Sequence, residues 1–387
     1  MPQPLAAQRI AAIDTLRGVA MALMLLDHVR EYFYLHHQVS DPMNLDSTSP
    51  ALFFTRLASH FCAPVFVFLT GLSAWCHGQK QAAPEGDGRH ETSRYLAARG
   101  IFLIVLELTL INLAWVFPVL PKMLYLQVIW AIGLSMLTLA ALLWLPRSGQ
   151  WLLGLLIVAG HHLLDGIHFT PEQAAYPFWA ILHDRSIIDL NWLGEGLKAR
   201  TSYPVLPWIG VILLGYAAGP LYRQAADPVR RRRWLTRAGV GMLAGFVVLR
   251  AVSVYGDHPR APAASWPGEA MAWLNVTKYP PSLLFLLFTL GLALLLLAWL
   301  EKGRPWAFFQ TLGRVPMFFY VLHLYLLRGL YLALNEIFGA TQGTRYDFAA
   351  VWQIWLMAAL LLPALYPLCR RFADFKRQRA GGWTAYF

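Results

Sequence analysis

The sequence predicts an all-α polytopic membrane protein with about ten transmembrane helices and both termini in the cytoplasm. Three observations carry that expectation. Of 387 residues, 57% are hydrophobic and only 14% charged, and the mean hydropathy is +0.46, outside the soluble globular range. Stretches of roughly 20 apolar residues, the length that crosses a bilayer core, recur along the chain with little left over for a soluble domain. Lys and Arg concentrate in every second connection between these stretches.

The expected spans cover 13–34, 51–75, 100–120, 123–145, 151–164, 203–222, 234–254, 281–300, 316–337 and 348–369, the fifth being short. With the N-terminus inside, 20 Lys and Arg fall on the cytoplasmic side, 7 on the opposite side and 5 within spans (Arg17, Arg30, Arg56, Arg250 and Arg328). This asymmetry obeys the positive-inside rule, and it implies an even number of spans. The net charge of +11 is thereby accounted for by topology. The Arg230 to Arg233 run reads as an anchor beside anionic lipid, and no nucleic-acid partner is expected. The whole chain, 1–387, reads as one membrane domain with a short cytoplasmic tail at about 370–387.

Cys62, Cys76 and Cys369 are too few and too scattered for a disulfide framework. No Cys-x-x-Cys or His-Glu-x-x-His occurs, so no metal is expected. The first span is too long and too polar for a signal peptide and is expected to remain in the mature protein. Three long outer connections, 35–50, 165–202 and 255–280, suit an outward-facing acceptor site, because long loops in compact folds are usually functional; they can also simply cap the helices. The Gly-rich and charged stretch at 77–92 reads as a cytoplasmic linker.

Ionisable groups inside a bilayer are costly and are functional candidates by default. Asp14, Arg17, Asp27 and His28 interrupt the first span. At about 100° per residue, the step from Arg17 to His28 returns within roughly 20° of the same face, about 16 Å deeper. Asp27, His28, Arg56 and His60 fall in the outer half, Glu107 slightly inside the middle, and His323 nearer the cytoplasm. His28, with a carboxylate beside it in sequence, is the leading acid–base candidate; His60 and His323 follow, although each also reads as a packed histidine bonded to a neighbouring helix. Asp27 lies about 100° round the helix from His28, so it orients that ring only if the helix is irregular or another helix intervenes. Arg17 can pair with Asp14 at the helix start, or bind phosphate. Arg94 and Arg99 offer the same guanidinium fork, or serve as ordinary positive-inside anchors.

Several runs together carry a resemblance: Asp14-Thr-Leu-Arg17-Gly18 followed by His28; Ala63-Pro-Val-Phe-Val-Phe-Leu-Thr-Gly71; Arg94 to Arg99 before an apolar span; Pro207-Trp208-Ile-Gly210; and Gly313-Arg-Val-Pro-Met-Phe-Phe-Tyr320-Val-Leu-His323. Over nearly the whole chain they resemble the transmembrane acyltransferases, in the branch of bacterial relatives of heparan-alpha-glucosaminide N-acetyltransferase. The resemblance implies a multi-pass protein of the bacterial inner membrane that moves an acetyl group from cytoplasmic acetyl-CoA to an amino or hydroxyl group of a glucosaminide-like glycan outside, with a histidine as catalyst. The donor phosphates would meet Arg17, Arg94 and Arg99. The spacing of Arg17 and His28 matches the signature of the related O-acetylase branch. In the lysosomal glucosaminide branch the position of His28 is Asn and the reactive histidine lies in the following loop, where this chain has His36 and His37 without the usual Trp-Asn-Gly run.

The expected catalytic set is His28, Asp27, His60 and His323. A neutral imidazole would take the acceptor proton during attack on the thioester, or carry the acetyl group itself, direct transfer being preferred. His60, Arg56 or Tyr320 would hold the tautomer or the thioester oxyanion. The competing reading is a proton-coupled membrane transporter in which His28, His60, Glu107 and His323 form a relay; a third is a scaffold in an envelope-polysaccharide assembly. A homo-oligomer is compatible with the sequence.

Overall fold

The computed structural model describes residues 10–81, 88–116, 121–223, 227–263, 265–303 and 306–379. Arg9, the side chain of Lys80, Arg304, part of the 77–92 linker, the end of the third expected span at 117–120 and the tail beyond 379 lie outside the described residues.

Helices build almost the entire molecule: α1 (Ala11–Phe33), α2 (Pro50–His60), α3 (Cys62–Gln81), α4 (Arg89–Leu106), α5 (Asn112–Val116), α6 (Val128–Leu142), α7 (Arg147–Gly160), α8 (Tyr176–Leu182), α9 (Leu206–Ala217), α10 (Pro228–Val252), α11 (Trp266–Leu274), α12 (Leu283–Leu300), α13 (Ala307–Gly313), α14 (Pro316–Phe338) and α15 (Val351–Gln378). Among the described residues, six helical stretches are long and apolar enough to cross a membrane: Pro50–Gln79, Arg89–Trp115, Pro228–Val252, Leu283–Leu300, Pro316–Phe338 and Val351–Gln378. The molecule is therefore an all-α membrane protein. α1 is long enough, at 23 residues, but carries Asp14, Arg17, Asp27, Arg30 and Glu31. α6, α7 and α9, with 15, 14 and 12 residues, rise only about 18–22 Å at 1.5 Å per residue. Large apolar side chains stand exposed on α7, α10 and α15, among them Leu155, Val248 and Trp352, as a lipid-facing shell requires.

Local chemistry sets the boundaries. Ser49, Asp227 and Ser282 cap α2, α10 and α12 through their side chains, and Pro50, Pro228 and Pro316 occupy first helical positions, where the missing N–H costs nothing. The break between α2 and α3 follows from Pro64, which cannot donate to the carbonyl of His60 and crowds it. Between α4 and α5, Glu107–Ile111 forms a π-helical turn. Its shape is held by Asn112, whose amide donates to the carbonyls of Glu107 (2.7 Å) and Tyr125 (3.0 Å) and accepts from Tyr125 N (2.7 Å).

Two expectations are corrected. The fourth span does not begin at 123, because Met123–Leu126 is strand β1, which with β2 (Ile187–Asp189) and β3 (Lys198–Thr201) forms a small sheet of order β1-β3-β2. β3 runs parallel to β1 and antiparallel to β2, so backbone pairing with the 165–202 connection withdraws the apolar run 123–126 from the helix. α4 starts at Arg89 rather than at 100, which places Arg94 and Arg99 on the helix instead of before it; Gly88, at φ 65°, makes the left-handed turn that starts it.

Glycine lets two helix pairs touch backbone to backbone. A β-carbon on Gly18 would stand 1.9 Å from the Phe309 carbonyl oxygen, and one on Gly313 would stand 1.8 Å from that of Asp14. This reciprocal contact seats α13 on α1. Gly71 and Gly215 do the same for α3 and α9, against the carbonyls of Ile212 (2.0 Å) and Phe68 (2.1 Å). The Asp41 carboxylate accepts from the backbone N–H groups of Lys278 and Tyr279 (2.7–3.1 Å) and pins the first long loop to the third.

Candidate active site

His28 and His323 lie 295 residues apart in sequence and meet directly, Nδ1 of His28 standing 2.6 Å from Nε2 of His323. Their centroids are 4.9 Å apart and their planes within 12°, the arrangement of two rings meeting edge to edge in nearly one plane. His323 Nδ1 stands 2.6 Å from the Phe319 carbonyl oxygen one turn earlier on α14. A carbonyl only accepts, so His323 Nδ1 carries the hydrogen and, in the neutral ring, Nε2 is the acceptor. His28 Nδ1–H must then donate to it, which leaves the lone pair of His28 on Nε2. Contact with His28 corrects the depth expected for His323: the two rings share a level. Gly313, just before α14, packs against Asp14 and Gly18, so α14 starts part-way along α1, an offset that a span-by-span count does not see.

Two aromatic side chains complete the surroundings of His28. Trp115 stands edge-on to it at 5.1 Å and Tyr320 at 5.7 Å. The Trp115 Nε1 and the Tyr320 hydroxyl are both buried and have no hydrogen-bond partner among the described residues.

A cavity of about 1340 Å³ leads to this group, larger than the pockets that hold drug-sized ligands. Ile10, Asp14, Arg17 and Met24 of the α1 face line it, and so does Tyr320. His28 follows Met24 by one turn on the same face. Arg17, Arg99, Arg223, Arg231, Arg314 and Lys376 also line it, with Asp14 as the one carboxylate among its lining residues. Arg17 donates to Asp14 Oδ1, the Gly313 carbonyl and Ser73 Oγ, each at 3.0 Å. Arg231 is held by Glu301 (2.9 Å), which also accepts from the Tyr222 hydroxyl (2.7 Å). The buried Nε of Arg314 lacks a hydrogen-bond partner among the described residues and stands 3.9 Å from Asp14 Oδ2.

The remaining expected site residues lie elsewhere. Asp27 does not orient His28. Its carboxylate accepts from Arg56 Nη1 (2.8 and 2.9 Å) and Arg30 Nε (3.3 Å) and stands 3.9 Å from Lys278 Nζ. The helical turn of about 100° points it away from the imidazole. His60 is buried against Phe285 and hydrogen-bonds neither His28 nor His323. Arg94 is exposed and not among the lining residues, whereas Arg17 and Arg99 are. Glu107 is fully buried in the π turn, with Oε2 accepting from Trp130 N at 3.3 Å. His36 forms a separate pair with Asp347, whose Oδ2 accepts from both its backbone N–H (2.8 Å) and its Nδ1 (3.1 Å). Both line a smaller cavity of about 370 Å³. The Asp27 cluster makes a direct prediction. Asp27→Asn leaves Arg56 and Lys278 buried without their counter-charge, and should lower unfolding stability by about 3–5 kcal/mol, read as the thermal transition of the purified protein. An unchanged transition would mean that the cluster contributes nothing.

Sequence reasoning missed Trp115, Asp347, Arg314 and Lys376. Trp115 looked like one of 16 tryptophans in an apolar chain, and the two basic residues looked like anchors. Only Tyr320 had a local signal, one turn before His323.

The fold and this constellation define a class: a polytopic membrane protein that holds an imidazole pair behind Tyr320, a lining residue of a large cation-lined cavity. Residues 9–256 match the family described as heparan-alpha-glucosaminide N-acetyltransferase, catalytic. The chain belongs to that family of membrane acetyltransferases. Compared one by one with curated proteins, it matches none.

Proposed function

We propose that the protein transfers an acetyl group from acetyl-CoA, held in the cation-lined cavity, to an amino or hydroxyl group of a glycan presented from the opposite side of the membrane. The observation that carries this reading is the His28 and His323 pair packed against Tyr320, which lines that cavity. Coenzyme A is large and polyanionic, and the lining offers both volume and guanidinium groups for its phosphates. Arg99, Arg223, Arg231, Arg314 and Lys376 all belong to the connections and span ends assigned to the cytoplasm by charge, and their convergence on one cavity supports placing them on a single side. In the proposed step the acceptor attacks the thioester carbonyl while its proton passes to His28 Nε2. His323 accepts from Nδ1–H and steadies the imidazolium. Collapse of the tetrahedral intermediate releases the coenzyme A thiolate, which recovers the proton. Direct transfer needs one base and one cavity; an acetyl-histidine intermediate is the variant that trapping with acceptor-free protein tests.

A proton relay for transport fits less well, since neither His60 nor Glu107 is hydrogen-bonded to the histidine pair. Two measurements test the proposal. Saturating acetyl-CoA should raise the thermal transition of the purified protein, and radiolabelled acetyl should appear on a simple glucosaminide. No stabilisation at saturating donor would remove the enzyme reading. Arg314→Ala removes the guanidinium whose Nε lacks a hydrogen-bond partner among the described residues. Loss of one charge-assisted hydrogen bond of about 1.5–3 kcal/mol should raise KM for acetyl-CoA roughly 10- to 100-fold with kcat little changed. An unchanged KM would place the phosphates elsewhere.

A further inference from the structure

We infer that the indole N–H of Trp115 and the hydroxyl of Tyr320 form the donor pair that holds the thioester carbonyl oxygen and stabilises the oxyanion. The inference rests on the transferase reading and deepens it. Buried donors normally have partners, and leaving one without an acceptor costs about 1–3 kcal/mol. Here two such donors stand against the same imidazole, Tyr320 also lines the cavity, and each lacks a partner among the described residues. An oxygen acceptor lodged between them would satisfy both.

The surrounding structure fixes the pair in advance. Trp115 is stacked on Tyr32 at 5.1 Å and 10°, and the Tyr32 hydroxyl donates to the carbonyl of the preceding residue, Ala114, at 2.8 Å. The π turn inserts one residue ahead of Trp115. Without it the helical phase would rotate the indole by about 100° away from His28, and π turns recur at functional sites for this kind of reason. Donors that need not reorganise as charge develops are the most effective stabilisers of an oxyanion. When the acceptor nitrogen or oxygen bonds to the carbonyl carbon, the π electrons move onto the carbonyl oxygen between Trp115 and Tyr320, and the acceptor proton goes to His28 Nε2. When the carbonyl re-forms, the carbon–sulfur bond breaks and the thiolate takes that proton.

The test uses the full chain in lipid nanodiscs, with acetyl-CoA as donor and methyl glucosaminide as acceptor. Trp115→Phe and Tyr320→Phe each remove one donor and keep the ring, and each should lower kcat by about 10²- to 10³-fold with KM for acetyl-CoA within about twofold. Trp208→Phe is the control, because Trp208 Nε1 is equally buried and also lacks a partner among the described residues, but its ring packs on Tyr203 at 5.9 Å where that of Trp115 packs on His28; its kcat should match that of the parent protein. In infrared difference spectra of bound acetyl-CoA labelled with ¹³C at the carbonyl, the stretch should lie below its solution frequency and return toward it in both variants. If donor binds but both variants keep kcat within about threefold and leave the band in place, the inference is wrong while the transferase reading stands. If the parent protein is not stabilised by donor at all, the transferase reading itself has failed. Tyr320→Phe deletes a single oxygen and decides the matter where Trp115→Phe impairs folding.

Discussion

His28→Ala is expected to cut acetyl transfer by about 10²- to 10⁴-fold, the usual contribution of a positioned general base, with folded yield and donor-induced stabilisation retained. The expectation follows from the tautomer chain. The Phe319 carbonyl forces the hydrogen of His323 onto Nδ1, His323 forces that of His28 onto Nδ1, and the lone pair of His28 is left on Nε2 to take the acceptor proton. His323→Asn should impair the reaction less, since it removes the support of the base rather than the base. The readout is single-turnover transfer of radiolabelled acetyl to methyl glucosaminide. The competing base is His36, which Asp347 orients in its own smaller cavity. Full activity in His28→Ala together with loss of activity in His36→Ala would move the chemistry to that second pair and overturn the assignment.

The parts of this site that one helix carries could be read from the sequence. The spacing of Arg17 and His28 defines a face, and Arg17 and Met24 line the cavity along it, with His28 one turn beyond. Partners contributed by distant elements could not. Nothing near His28 points to His323, and the contact depends on how α14 crosses α1. Asp27 misled for a related reason: adjacency in sequence is about 100° of separation on a helix, and Arg56, on another helix, settles where its carboxylate goes. The π turn was illegible because its shape depends on Asn112 reaching Tyr125 on a strand, and that strand was hidden in an apolar run that periodicity alone assigns to a helix. Apolar character fixed the class of protein, but the short helices α6, α7 and α9 show that apolar runs set lengths poorly when glycines, prolines and a small sheet divide them.

Gly18→Ala and Gly313→Ala are each expected to destabilise the fold strongly, by at least the about 1–3 kcal/mol typical of overpacking, and both should abolish activity with it. At Gly18, inside α1, ordinary helix propensity predicts the reverse sign, because Ala is favoured over Gly by about 1 kcal/mol in a helix interior. Packing decides against propensity here. The new methyl group would meet a backbone carbonyl oxygen at 1.9 Å from Gly18 or 1.8 Å from Gly313, and a carbonyl inside a hydrogen-bonded helix cannot rotate aside as a side chain would. α13 must therefore move off α1, which also pulls the Gly313 carbonyl away from Arg17 Nη1 (3.0 Å) and opens the cavity wall that Arg17 and Arg314 share. Gly241→Ala on α10 is the internal comparison, since nothing lies within 4 Å of the added carbon; propensity alone acts there, and the transition temperature should hold or rise. Scanning fluorimetry of the three variants in one detergent separates the two effects. If Gly18→Ala and Gly313→Ala melt with Gly241→Ala, the close approach of α1 and α13 is not what seats the cavity wall.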